Sequence, residues 1–159
     1  MKIAAMWKRT AAFAIDIFIV IALITLLIVS INWIFQIPVE YSSIFEGRGL
    51  QVKMNDYVRD NFIKIVVIYS LAKLSVIVLY FAGFESSRRQ ATIGKRIFGI
   101  EVGKPDGSRI SVGNALLRLF GKWLSGQILV IGYLMAFFTE KNRALHDYIA
   151  GTLVFESDK

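Results

Sequence analysis

Residues 11–35, "AAFAIDIFIVIALITLLIVSINWIF", carry a single charge, Asp16. No other feature limits the fold as much. As a helix the run rises about 1.5 Å per residue, roughly 37 Å in all, enough to cross a hydrocarbon core of about 30 Å with some tilt. Trp7 and Trp33 bracket it where interfacial anchors belong, and Pro38 follows where a helix should stop. A cleaved secretory signal has an apolar core of about 7–15 residues and a small-x-small site after it. This run is longer and no such site follows, so it reads as a retained membrane helix.

The rest of the chain fits that solvent. Hydrophobic residues make up 55% of the 159, and the mean hydropathy is +0.55. A soluble domain of this size has roughly 45–50% apolar residues even with glycine counted. The net charge is +7, from 19 basic and 12 acidic side chains. The basic residues flank apolar runs, so they point to anionic lipid headgroups as partners and not to nucleic acid. Cysteine is absent, which removes disulfides, thiolate metal sites and cysteine nucleophiles.

Along the chain, 37–61 is a polar connection with a Gly47-Arg48-Gly49 turn, expected outside the membrane. Residues 62–84 read as the second spanning helix, with Lys64 near its end and Lys73 near its middle. Residues 85–111 are basic and contain "RIFGIEVGKPDGSRIS". There the alternation of Phe98, Ile100 and Val102, with a Pro105-Asp106-Gly107 turn, predicts a β-hairpin. Ser111 is placed to cap a helix that carries Arg118 and Lys122 on one face. The apolar piece 124–138 is short for a span and holds two glycines, so a re-entrant or interfacial element competes with a third crossing within 112–138. The tail 139–159 is polar apart from a strand-like piece, Thr152 to Phe155. The expected architecture is a single all-α transmembrane domain: two full spans, a third broken or short apolar element, and a small cytoplasmic β-hairpin or strand cap built from 97–111 and 150–156. The positive flanks place the N-terminus and residues 85–111 in the cytoplasm, in a multi-pass protein of the plasma or inner membrane.

Three blocks resemble the RDD family of small integral membrane proteins, named for one arginine and two aspartates. They are "WKRTAAFAIDIFIV" with Arg9 and Asp16, "ATIGKRIFGIEV" to Asp106-Gly107 followed by Arg118, and "ALHDYIAGTLVF" with Asp147. They span nearly the whole chain in the family's order. The resemblance implies two transmembrane segments and a proposed role in transport, without naming a ligand.

The candidate site is a polar seam of Arg9, Asp16, Lys73, Arg118, His146 and Asp147. An aspartate near a helix centre costs about 2.5–3.5 kcal/mol on insertion scales, so Asp16 must face protein or water. Arg9 lies seven positions earlier, on the same face but about 10 Å away along the axis. Lys73 is the expected partner, with Tyr69, Ser70 and Tyr80 on its side of the second helix. The structural alternative is a static ion pair that fixes helix register. Arg9 is either a positive-inside flank or a bidentate clamp on Asp147, which would bring the tail back to the cytoplasmic face. His146, the one histidine, lacks the company a metal site needs, and no nucleophile elbow supports hydrolysis through Ser111 or Ser125. "TIGKRIFG" lacks the glycine and the hydroxyl of a phosphate loop. Arg88, Arg89, Lys95 and Arg96 therefore read as headgroup contacts. No catalytic residue, metal or cofactor is expected. The functional expectation is transport, or assistance to transport, of an ion or small solute, with a homo-oligomer enclosing the path. The competing expectation is a scaffold or lipid-interacting accessory protein.

Overall fold

The computed structural model describes residues 2–35, 56–127, 131–139 and 141–157. The expected turn at 47–49 lies outside them. The chain divides into two compact units, one of residues 1–21 and 76–159, the other of residues 22–75.

Helix α1 runs over Met6–Phe35. Helix α2 runs over Asp56–Val78 and continues through a π-helical turn, Leu79–Gly83, into α3, Phe84–Ser86. The second helix therefore starts at Asp56, earlier than the polarity of 56–61 suggests. Met6–Ile34 and Arg59–Ser86 are each long and apolar enough to cross a membrane. Little of either is buried within the chain, unlike the core helix of a soluble protein.

In the 22–75 unit, the Tyr69 hydroxyl is bonded to the Asn32 side chain. Lys73 is exposed on this unit. Leu71 and Leu74 are exposed beside it.

The larger unit holds everything else. After α3 come α4, Ile93–Ile97, and strand β1, Ile100–Gly103. Gly99 links them at φ +61°, a left-handed conformation that ends a helix at little cost only for glycine. Helix α5 covers Val112–Gln127, α6 Ile131–Phe138, α7 Leu145–Ile149, and strand β2 Leu153–Glu156. Ser111 caps α5. Its hydroxyl accepts the Asn114 N–H at 3.2 Å, and the Asn114 side chain accepts the Ser111 N–H at 3.3 Å.

The expected hairpin does not form. The turn at Pro105–Gly107 closes, with the Gly107 N–H donating to the Lys104 carbonyl at 2.9 Å, but 108–111 run on as irregular chain. β1 instead pairs antiparallel with β2, with Ile100 opposite Glu156 and Val102 opposite Val154. The reason is edge occupancy. Gln90 already fills the other edge of β1, accepting the Val102 N–H at 2.9 Å and donating its side-chain amide to the Val102 carbonyl at 2.7 Å. β2 is bonded on its far side to residues 2–4: Ala4 N–H to the Val154 carbonyl at 2.9 Å, and Glu156 N–H to the Lys2 carbonyl at 2.8 Å. Ala4, Ala12, Ala82, Ile100, Val102, Ile110, Ala115 and Val154 form the core beneath this sheet.

Candidate functional site

Two buried polar clusters lie in the larger unit. The first surrounds Asp16, which is 1% exposed. The π-helical turn inserts an extra residue into the second helix, and Tyr80 is buried within it. The Tyr80 hydroxyl donates to Asp16 Oδ1 at 2.6 Å. The Thr92 hydroxyl donates to Oδ2 at 2.6 Å, and the Gly94 N–H to Oδ1 at 2.8 Å. Both come from the start of α4, which approaches α1 closely. A Cβ at position 94 would sit 2.2 Å from the Ala12 carbonyl oxygen, so only glycine fits without a shift. These three neutral donors stand where Lys73 was expected. Lys73 belongs to the 22–75 unit. Among the described residues, Asp16 makes no ion pair.

The second cluster centres on Arg118, 1% exposed in the middle of α5. Its Nε donates to Glu85 Oε2 at 3.0 Å. Its Nη1 donates to Asp147 Oδ1 and to the Thr152 hydroxyl, each at 2.5 Å. Glu85 Oε1 also accepts Lys95 Nζ at 2.6 Å and Lys122 Nζ at 2.9 Å. Asp147 Oδ2 accepts Arg9 Nη2, and the Ala144 N–H at 3.1 Å. Arg9 Nη1 donates to the Asn142 carbonyl. The structure thus brings together Arg9, Arg118, His146 and Asp147 of the sequence-derived seam. It keeps Asp16 in a separate cradle.

The cluster holds four basic side chains, Arg9, Lys95, Arg118 and Lys122, against two carboxylates, Glu85 and Asp147. Burial and that surplus together set the protonation states. Burial opposes the Asp147 charge, yet Arg118 and Arg9 hold its carboxyl well below the usual carboxylate range. Burial also opposes the Arg118 charge, and Glu85 and Asp147 outweigh it and hold the guanidinium above its ordinary value. Burial pushes Lys95 down to about 7, with Lys122 and Arg118 reinforcing the shift and Glu85 resisting it. His146 Nε2 lies 3.6 Å from Asp147 Oδ1. Burial and the cations Arg118, Lys122 and Arg9 hold it well below its ordinary value against the pull of Asp147, so the imidazole is neutral at physiological pH.

Lys95, expected at lipid headgroups, points inward to Glu85 with a side chain only 12% exposed. Arg88, Arg89 and Arg96 are exposed. Arg89 and Arg96 line a cavity of about 340 Å³ with Glu101 and Ser157, apart from both clusters. Sequence reasoning missed Glu85, Thr92, Gly94 and Thr152 as site residues. Glu85 had a readable signal: it is an acid at the end of an apolar span, followed by a run of cations.

A sequence model described as "RDD family" matches residues 3–151. Two relatives come from Bacillus subtilis (strain 168). "Uncharacterized protein YxaI" is 42% identical over 84 residues, covering 53% of this chain and 55% of that protein. "Uncharacterized protein YckC" is 37% identical over 84 residues, covering 50% of this chain and 56% of that protein. The chain spans about half the length of these curated relatives. No solved structure matches it significantly.

Proposed function

The chain belongs to the RDD family, and from that premise we propose that it is an ion-handling membrane transporter, or a transporter subunit, in which Asp16 carries the exchangeable charge. The observation that carries this reading is the chemistry of the Asp16 cradle. Its three partners are Tyr80 O–H, Thr92 O–H and Gly94 N–H, and none is a cation. An asparagine would satisfy the same set. Its Oδ1 would accept from Tyr80 and Gly94, and its amide would donate to the Thr92 hydroxyl. A merely structural link therefore needs no charge, while an unpaired buried carboxylate is costly. The charge is worth its cost if Asp16 takes and releases a proton or a small monovalent cation, for which its carboxylate and the two hydroxyls offer oxygen ligands.

Two spanning helices in one copy enclose little, so a homo-oligomer completes the path in this reading. The excess of lysine and arginine at 2–9 and 85–111 supports a cytoplasmic N-terminus in the plasma or inner membrane, with Arg88, Arg89 and Arg96 toward anionic lipid.

The test is flux in proteoliposomes under imposed proton, sodium and potassium gradients, comparing wild type with Asp16→Asn. Loss of flux in a variant whose unfolding midpoint stays within a few degrees supports transport. Equal flux in both proteins, or none in wild type, rejects it.

The Arg118 cluster favours a second reading, a non-transporting scaffold or lipid-interacting accessory protein. Both oxygens of Glu85 and both of Asp147 already accept protein donors. Absent flux together with an unchanged or raised midpoint in Asp16→Asn would favour it.

A further inference from the structure

We propose that α5 lies flat in the membrane boundary, on the side where residues 2–4 meet 154–156, with its apolar face seated among lipid headgroups and the first acyl carbons. This goes beyond the transport reading and stands or falls separately from it.

The helix is built inside out. Ala115, Arg118, Gly121 and Ser125 are buried. Val112, Leu116, Leu117, Phe120 and Trp123 are exposed, Phe120 by 55% and Trp123 by 59%. An amphipathic helix of a water-soluble domain buries its apolar stripe and wets its polar one. Here the polar stripe is consumed by the ion-pair cluster, and the large apolar side chains are left outside. In water that face would be a binding or aggregation site.

The surroundings name the occupant. Arg118 and Lys122 both bond Glu85, and Lys122 Nζ lies 4.5 Å from the centre of the Phe81 ring. Glu85 stands one residue before the end of the Arg59–Ser86 span. The middle of α5 is therefore fixed at the level where that span leaves the hydrocarbon. With 16 residues, α5 is about 24 Å long, short of the roughly 30 Å needed to cross.

Its inward face is tied to polar partners along its length. The Asn114 side chain donates to the Ala150 carbonyl at 3.0 Å. A Cβ at Gly121 would meet His146 Cα at 2.8 Å, so α7 lies directly on α5. If α5 tilted into the bilayer, it would carry His146 and Asp147 with it. β2, which follows α7, pairs with residues 2–4, so the segment between β1 and β2 makes no net crossing. Large aromatic side chains over a polar, cation-bearing face are what an in-plane interfacial helix requires.

The natural chain has no cysteine, so nitroxide labels can be placed singly at Val112→Cys, Leu116→Cys and Trp123→Cys. All three side chains are exposed, so labelling leaves the core intact. The full chain is reconstituted in phosphatidylcholine–phosphatidylglycerol vesicles, and immersion depth is read from collision with oxygen against a water-soluble nickel chelate. Unchanged thermal midpoints confirm that each labelled protein is folded. The expected result is three shallow depths agreeing to within a few Å. Depth that increases along the helix by about 1.5 Å per residue, or roughly 16 Å from 112 to 123, would mean a crossing and overturns the proposal. Full exposure to the nickel chelate means that the face is wet. Exclusion of both reagents means that a protein, such as a second copy, covers it. Either result also overturns the proposal.

Discussion

Arg118 joins Glu85 to Asp147. One guanidinium spans an acid at the end of the second membrane helix and an acid in α7, at 3.0 and 2.5 Å. Those acids are far apart in sequence, so this side chain ties the tail of the chain to the end of its second long apolar helix. The link needs a planar fork with donors pointing two ways, which an ammonium does not supply.

Arg118→Ala should therefore destabilise the protein by about 3–5 kcal/mol, because it takes from two buried carboxylates the cation they share and leaves one oxygen of each without that donor. Arg118→Lys keeps the charge but reaches only one acid, and its loss should fall between wild type and alanine. Thermal unfolding in detergent reads both. An alanine variant that unfolds with the wild type would show that the cluster contributes nothing to stability.

Gly94→Ala should cost about 1–3 kcal/mol, the usual penalty for overpacking. The new methyl would fall 2.2 Å from the Ala12 carbonyl oxygen and 2.9 Å from Asp16 Oδ1. Backbone cannot give way as a flexible side chain does, so α4 must move and stretch its N–H bond to Asp16. Amide exchange at Gly94 should speed up along with the loss of stability. Wild-type protection at that amide would mean that α4 does not rest on α1.

Much of this was legible in the sequence. Apolar length made the two candidate spanning helices readable, because a bilayer demands a minimum span. The insertion cost of a carboxylate marked Asp16 as a residue that must be satisfied. Its partners were not legible. Tyr80 reaches it through a π-helical turn, and no residue pattern in "VLYFAGF" announces the extra residue. The place of Glu85 at the end of an apolar span was readable but its partners were not, because only the docking of α4 and α5 surrounds it with Lys95, Arg118 and Lys122. The two segments of the β cap, 97–111 and 150–156, were legible, but their direct pairing joins residues about 50 positions apart. A nearby turn signal is a poor guide when Gln90 occupies the edge that turn would have used.

Stability should fall with acid below about pH 6.5 because of His146. In the folded chain its imidazole faces Asp147, Arg118, Lys122 and Arg9, and burial with those cations holds it neutral. In the unfolded chain it takes a proton near pH 6.5. The unfolded state then binds more protons, so stability is full above that pH and declines as pH drops toward the depressed folded value. Denaturant midpoints at pH 7.5 and 5.5 check this. His146→Gln should flatten the slope between them, and a slope unchanged by that substitution would assign the effect to other groups.

Arg9 and Arg118 should be energetically coupled through Asp147, whose two carboxylate oxygens they share. Either single alanine variant leaves Asp147 buried and ionised with one cation fewer. With both arginines gone the carboxyl can neutralise by taking a proton, which limits the further cost. The double variant should therefore lose less than the two single losses combined, by about 0.5–3 kcal/mol. The pH dependence gives an independent reading. Asp147 is held below the usual carboxylate range, so it stabilises the wild type above about pH 4, and that stability is lost as pH falls through the folded value. In the double variant this acid-dependent loss should disappear. A double-mutant cycle by thermal unfolding at pH 7, repeated at pH 2, measures both effects. Strict additivity at pH 7 would mean that the two arginines do not act on the same charge.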